Sequence, residues 1–421
     1  MANKKVINRW MIVVGAILIQ LALGAIYAWS VFTKALIDVP YNFTAAQTQA
    51  IFSAALFTFA LVMTFAGIQM KRFGPRPLAI AGGLVLGLGY ILGSFLGSTF
   101  IMQLICIGII GGTGLGLAYV VPIAVGMKWF PDRKGLITGL AVAGFGFGAT
   151  IWVKVGGSWF SLVATYGVQS VFLFYGIAFI IMVLIGSIWM VNPPEGYIPA
   201  GYISPESGKG SNKSSNRESS YHHSWREILG KTAFWTIWLI YLFGGMAGLM
   251  VIGSIKLFGI DTLQTSGMSV AAADAATGTA MAWYAIFNGL GRIAWGSICD
   301  KLGPRLSIFL MSLLQGLLML TLFKMGTSSF LLAVYASAIG FNFGGNFTLF
   351  PIATASLFGS KNVGSNYPFV FTAYGVAGIA GPMLGGIVRD NTGSFLWAFI
   401  PAGIVCIVGS LLALTIKPPE D

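Results

Sequence analysis

The stretch Gly296-Ser297-Ile298-Cys299-Asp300-Lys301-Leu302-Gly303-Pro304-Arg305 lies between two apolar segments in the second half of the chain. Between two apolar segments of the first half stands Gly67-Ile68-Gln69-Met70-Lys71-Arg72-Phe73-Gly74-Pro75-Arg76, 229 residues earlier. Another pair of loops, Trp129-Phe130-Pro131-Asp132-Arg133-Lys134-Gly135 and Leu357-Phe358-Gly359-Ser360-Lys361-Asn362-Val363-Gly364, recurs at an offset of 228. Two loops repeating at almost one offset mean a chain built twice. The composition says what is repeated. Of 421 residues, 56% are hydrophobic and 9% charged, whereas soluble domains carry roughly a quarter charged residues.

Working outward from the repeated loops, twelve apolar segments can be marked, at 10–33, 46–70, 77–98, 100–127, 136–160, 168–191, 233–255, 277–299, 306–324, 330–357, 366–388 and 394–416. A bilayer-crossing helix needs about 20 residues. The expected fold is an all-α integral membrane protein of 12 transmembrane helices in two six-helix pseudo-symmetric bundles, residues 1–191 and 231–421. A polar, Ser/Gly/Asn-rich linker at 192–230 joins them. Parallel repeats of this kind around a central cavity are a build of secondary transporters. The first segment follows the basic stretch Met1 to Arg9 without a small-residue cleavage site, so it is expected to be retained as a span.

The net charge of +12 is explained by orientation. With the N-terminus on the cytoplasmic side, 18 of the 24 basic residues fall inside and four outside (Lys34, Lys256, Lys324 and Arg389), leaving Lys154 and Arg292 in spans. That asymmetry predicts both termini and the linker in the cytoplasm of a plasma (bacterial inner) membrane. Nucleic-acid binding is not needed to account for the charge. Cys106, Cys299 and Cys406 are isolated in apolar runs, and His222 and His223 sit in the linker, so the sequence calls for neither metal nor cofactor. No span carries a nucleophile with its base or a carboxylate pair, which argues against an enzyme.

Arg292 is the residue that demands a partner. Eight residues before Asp300, its Cα lies about 12 Å inside the cytoplasmic end of its segment. Cα–Cβ bonds tilt toward a helix N-terminus, here the outer end, so the side chain points toward the bilayer centre. An unpaired arginine there costs at least ~2.5–3.5 kcal/mol, and no span contains an Asp or Glu to meet it. A small carboxylate is the economical partner; an arginine tied to backbone carbonyls is the alternative. Tyr284, Asn288 and Arg292 are spaced i, i+4, i+8 on one helix face, and the guanidinium fork matches a carboxylate. Tyr27, Tyr119, Phe347, Phe371 and Tyr374 are further candidates for the cavity wall. Lys154 lies near the outer interface, within reach of it by snorkelling.

The loop pattern Gly-x-x-x-Asp-Lys/Arg-x-Gly-x-Arg resembles the signature of the major facilitator superfamily, complete at Gly296–Arg305 and present at Gly67–Arg76 with Lys71 in the acid position. The resemblance covers the whole chain. It implies that Gly67, Arg72, Gly74 and Arg76, with Gly296, Asp300, Lys301, Gly303 and Arg305, form a conformational latch between neighbouring helices. Within the superfamily, Phe287-Asn288-Gly289-Leu290-Gly291-Arg292, Trp295-Gly296, Tyr27-Ala28-Trp29, Trp129 to Gly135 and Asn366-Tyr367 resemble the bacterial oxalate/formate antiporter group. That group is close to the monocarboxylate transporters, which also depend on an arginine in segment eight. Two departures bear on substrate. Tyr374 stands where oxalate carriers have a lysine, which suits a monoanion; Asn288 stands where mammalian monocarboxylate transporters have an Asp, so proton coupling through that acid is not carried over and symport would need protonation elsewhere. The expectation is therefore a proton-coupled monocarboxylate transporter for lactate- or pyruvate-like anions, monomeric, with Arg292 as anchor. An oxalate/formate-type antiporter and an anion-binding membrane sensor are the alternatives.

Overall fold

A computed structural model describes residues 7–156, 160, 162–194, 197–199, 222–322, 324 and 328–417. All regular elements among them are helical. The first span is α1 (Arg9–Leu23), a 3-10 stretch (Gly24–Trp29) and α2 (Ser30–Ile37); α3 (Ala45–Phe73) and α4 (Pro75–Leu96) follow. The fourth span is α5 (Phe100–Gln103), a π-helical stretch (Leu104–Gly111) and α6 (Gly112–Trp129); α7 (Lys134–Lys154) and α8 (Leu162–Ser187) complete six. A short α9 (Trp225–Ile228) precedes α10 (Thr232–Thr265), α11 (Val270–Leu302), α12 (Pro304–Leu320), α13 (Ser329–Phe358), α14 (Val363–Thr392) and α15 (Leu396–Ala413).

Ten of these spans are long and apolar enough to cross a bilayer on length and composition. The other two are α11, whose sequence includes Asp274, Arg292, Asp300 and Lys301, and α12, with 17 residues. Both fall where the apolar pattern places segments eight and nine. Helices α10 and α11 run well past the apolar segments that announced them, because helical hydrogen bonding continues through the polar residues around Asp261 and Asp274. Helix α12 stops at Leu320, short of the expected 324.

The repeated loops are built from one turn used twice. Gly74 (φ 80°) and Gly303 (φ 78°) take a left-handed backbone that ends α3 and α11, and Pro75 and Pro304 open the next helix from its first position. At the opposite end of the bundle, helices start on hydroxyl caps: Thr44 with Gln47 in a reciprocal capping box, then Thr99, Ser269 and Ser328.

Most of the linker falls outside the described residues, including all of 200–221. Its two described ends are held in place. Trp129 Nε1 donates to the Val191 carbonyl at 2.7 Å, and Lys128 Nζ to Asn192 Oδ1 at 3.0 Å. At the other end, the His223 amide donates to the Phe358 carbonyl at 3.1 Å, and the His223 carbonyl accepts from Asn362 and Asn366. Trp225 stacks on Phe369 at 5.1 Å. The Ser224 amide on its carboxylate holds the Glu227 pKa below the usual range.

Candidate functional site

Helices α7, α11 and α13 converge on Arg292. Two glycines let α13 lie against α11: a Cβ on Gly340 would meet the Tyr284 carbonyl oxygen at 2.4 Å, and one on Gly344 the Asn288 carbonyl oxygen at 2.1 Å. Thr348 on α13 donates to the Arg292 carbonyl at 2.9 Å. On the α7 side a Cβ on Gly139 would meet the Arg292 carbonyl oxygen at 2.4 Å, so the backbone that carries the arginine is fixed from two sides.

The guanidinium is fully buried. Its Nε donates to Asn288 Oδ1 at 3.2 Å, and one terminal nitrogen, Nη1, donates to the Val142 carbonyl of α7 at 2.8 Å. The other terminal nitrogen, Nη2, is buried and makes no geometric hydrogen bond among the described residues. Its carbon lies 4.2 Å from the centre of the Phe347 ring and 5.4 Å from that of Phe145, a cation–π arrangement. No ion pair reaches it among the described residues. The site therefore offers one positive charge, an unused N–H face and two aromatic walls.

The other sequence candidates divide by how they meet this centre. Asn288 spends its oxygen on Arg292 and directs its nitrogen to the Gly340 carbonyl at 3.5 Å, so it orients the guanidinium. Tyr284 is buried, and its hydroxyl has no partner. The Tyr119 hydroxyl stands beside the Arg292 guanidinium, close enough to interact with it, and has no other hydrogen-bond partner among the described residues. Its ring packs on Phe59, Phe145 and Phe371 at 5.0 to 5.5 Å. Phe347 and Phe371 are buried and near each other, at 6.4 Å. The hydroxyls of Tyr27 and Tyr374 hydrogen-bond to each other, joining the first span to α14. Lys154 is the last residue of α7, far along that helix from Phe145.

Below this centre, toward the end of the bundle that carries the repeated loops, the crossings are closed. A Cβ on Gly135 would stand 2.1 Å from the Gly296 carbonyl oxygen, and one on Gly296 would stand 2.2 Å from that of Gly135. The counterpart crossing sets Gly67 against the Gly364 carbonyl oxygen, again at 2.2 Å. Both members of the second crossing are related to the first by 229 positions. Next to the first, Asp300 Oδ1 and Oδ2 accept from the Gly135 and Leu136 amides at 2.8 and 2.9 Å. The carboxylate thus caps the N-terminus of α7. Lys71 holds the corresponding place in the first copy and has no carboxylate to give.

Arg76 donates to the Ser187 carbonyl at 3.1 Å and also to that of Ile188, and Arg305 to that of Leu414, so each arginine binds the end of its own half's sixth span. Arg72 lies over the Phe73 ring and Lys301 is exposed. Among the described residues expected to form the latch, Asp300 bonds by its side chain from one half of the chain to the other. Asp300→Asn is expected to cost roughly three- to tenfold in transport rate and to raise maleimide labelling of a cysteine placed at Thr138. Unchanged rate and labelling would deny the carboxylate that part.

A family model described as Major Facilitator Superfamily matches residues 7–273 and 258–421. The chain belongs to the major facilitator superfamily. It is a membrane transporter and not an enzyme. It is 25% identical to the oxalate:formate antiporter of Oxalobacter formigenes over 98% of this chain and 92% of that protein. To the apicoplast pyruvate carrier 1 of Toxoplasma gondii it is 27% identical, over 74% of this chain and 64% of that one. Among solved structures, the facilitator FucP in its outward conformation superposes with a TM-score of 0.66 at 17% identity, covering 97% of this chain and 99% of that one.

Three parts of this facilitator's centre carried no usable sequence signal or were passed over. The Val142 carbonyl and the Gly135 and Leu136 amides are backbone groups that every residue owns. Phe145 had a signal: it is a bulky residue inside the glycine run Gly144, Gly146, Gly148, where small residues let helices approach and a large one must have somewhere to point.

Proposed function

We propose that this facilitator carries small monocarboxylates, lactate- or pyruvate-like anions, by alternating access, with Arg292 binding the carboxylate. The reading is carried by the buried guanidinium, which sits beside the Tyr119 hydroxyl, with Nη2 making no geometric hydrogen bond and with no ion pair to an acid among the described residues. A carboxylate supplies the missing charge and two acceptor oxygens. It can take the free Nη2 and compete with the Val142 carbonyl for Nη1, giving a two-point contact. Aromatic walls at Phe145 and Phe347 suit a short apolar stem. One cation balances one anionic charge, so a dianion would leave a second charge buried without a partner. The two named relatives, one for oxalate and formate and one for pyruvate, support a carboxylate cargo. In this reading the latch loops and both termini lie in the cytoplasm of a bacterial inner membrane.

Proton-coupled uptake is the expected mode. Anion exchange is the second reading, favoured by one observation: no carboxylate accompanies Arg292 among the described residues, so the empty site would have to carry its charge between faces unneutralised. The test is uptake of labelled lactate into proteoliposomes. Stimulation by an inward proton gradient marks symport; uptake that needs internal lactate marks exchange. Failure to take up or exchange lactate and pyruvate, with oxalate carried instead, would overturn the monocarboxylate reading.

A further inference from the structure

Two features near the site have no part in anchoring a carboxylate. One is the 3-10 stretch Gly24–Trp29 that interrupts the first span and carries Tyr27. The other is the hydroxyl pair of Tyr27 and Tyr374. We propose that this pair is the specificity-determining subsite for the oxygen on the carbon next to the carboxylate, so that the carrier selects 2-oxo and 2-hydroxy monocarboxylates over unsubstituted ones. The proposal rests on Arg292 holding the carboxylate.

Position comes first. The tyrosine rings stand on the same two phenyl rings that flank the guanidinium. Tyr27 meets Phe145 edge-on at 5.2 Å, and Tyr374 meets Phe347 at 5.2 Å. Phe145 and Phe347 are the walls 5.4 and 4.2 Å from the Arg292 carbon. The hydroxyl pair is therefore one aromatic layer from the cation. Tyr27 lies 18 residues along the chain from Arg9, whose guanidinium pairs at 2.9 Å with Asp132 in the loop beside the Asp300 latch. Arg292 is only eight residues from Asp300. At 1.5 Å per residue the Tyr27 backbone stands about 15 Å farther from the latch face than that of Arg292. The two side chains lean toward each other, since one helix runs away from that face and the other toward it. An anion held by Arg292 thus has its second carbon directed at the pair.

Chemistry comes second. Two hydroxyls bonded to each other use one O–H, which leaves one hydrogen and several lone pairs. An oxo group can accept the spare hydrogen, and a hydroxyl can accept it and donate in return. A methylene can do neither. A site built to hydrogen-bond a substrate oxygen rejects the analogue lacking it strongly, because its own polar groups are then left unsatisfied.

The hydroxyls come from different halves of the chain, Tyr27 from the first span and Tyr374 from the eleventh. They meet only when the halves close around the site. The 3-10 segment has poorer hydrogen-bond geometry than an α-helix and is where the first span can adjust. Closure is therefore the step that reads the 2-position oxygen.

The experiment measures inhibition of labelled pyruvate uptake in proteoliposomes by lactate and by propionate, which has the same length without the oxygen. Wild type is expected to prefer lactate at least tenfold. In Tyr27→Phe and Tyr374→Phe, which keep the rings and remove only the hydroxyls, that preference is expected to fall at least fivefold. A merely structural role would weaken both inhibitors together and leave the ratio unchanged, which overturns the proposal. So does a wild type indifferent between the two acids, or a preference that collapses in Tyr284→Phe but not in the pair. Arg292→Gln, run alongside, separates the premise from the inference: pyruvate uptake surviving there removes the carboxylate anchor itself, whatever the tyrosine variants do.

Discussion

Arg292→Gln is expected to reduce monocarboxylate uptake at least about 100-fold while the protein remains folded. Charge-assisted hydrogen bonds contribute ~1.5–3 kcal/mol each, and the fork offers a carboxylate two of them, one from the free Nη2 and one now spent on the Val142 carbonyl. Losing both removes ~3–6 kcal/mol, or about two to four orders of magnitude in affinity. Stability should move the other way. In the empty site the guanidinium is buried without an anion, so a neutral side chain relieves a desolvation cost. The amide can still face the aromatic walls. The thermal midpoint without substrate should be equal to or higher than that of wild type, and the rise that lactate confers on wild type should disappear. Arg292→Lys keeps the charge and loses the planar fork, so its uptake should fall between the two. A folded Arg292→Gln protein with near-normal uptake would end the carboxylate-anchor reading. A protein that loses uptake because it no longer folds would show instead that Arg292 braces α11 against α7 through the Val142 carbonyl.

That last possibility marks where the sequence was readable and where it was not. Arg292 stood out because a charge in an apolar span is expensive and has to be explained, and its helix position alone fixed its depth. The loops holding Gly74 and Gly303 were legible as a repeat, whereas the positive φ of each glycine and the helix start at the following proline were not read from the sequence. The bond from Arg292 to the Val142 carbonyl spans 150 positions and ends on a backbone atom, so no residue type announces it. Tyr27 and Tyr374 were both marked as cavity candidates, but their pairing across 347 positions depends on how the halves dock. Asn288 was expected to touch substrate. In the ligand-free structure its oxygen accepts from Arg292, because the i to i+4 spacing that puts the two on one face also puts them within reach of each other. The repeated loop was legible as a motif, whereas the hydrogen bonds that Asp300 accepts from the Gly135 and Leu136 amides were not.

The closed crossings at the latch face supply the second large effect, Gly296→Val. The atoms in the way are the Gly135 carbonyl oxygen at 2.2 Å and carbon at 2.8 Å from a Cβ at this position. Both belong to backbone, so no neighbouring side chain can rotate to make room. Overpacking a tight contact typically costs ~1–3 kcal/mol and occasionally more, and valine adds three carbons. The helices must separate by more than small adjustments allow, which also pulls Asp300 off the α7 amides one turn away. If transport requires this face to seal while the other opens, Gly296→Val should lower uptake at least about 50-fold while leaving substrate binding measurable, and it should leave the latch side open to maleimide at Thr138→Cys. Gly67→Val strikes the counterpart crossing against the Gly364 carbonyl and should do the same. Gly386→Ala is the matched control, since a Cβ there meets nothing within 4 Å, and its uptake should be unchanged. Wild-type uptake in Gly296→Val would mean that the crossing can be spared in the transport cycle. Uptake lost together with binding would mean that the damage reaches Arg292, only four residues away on the same helix, and would separate a packing fault from a gating one.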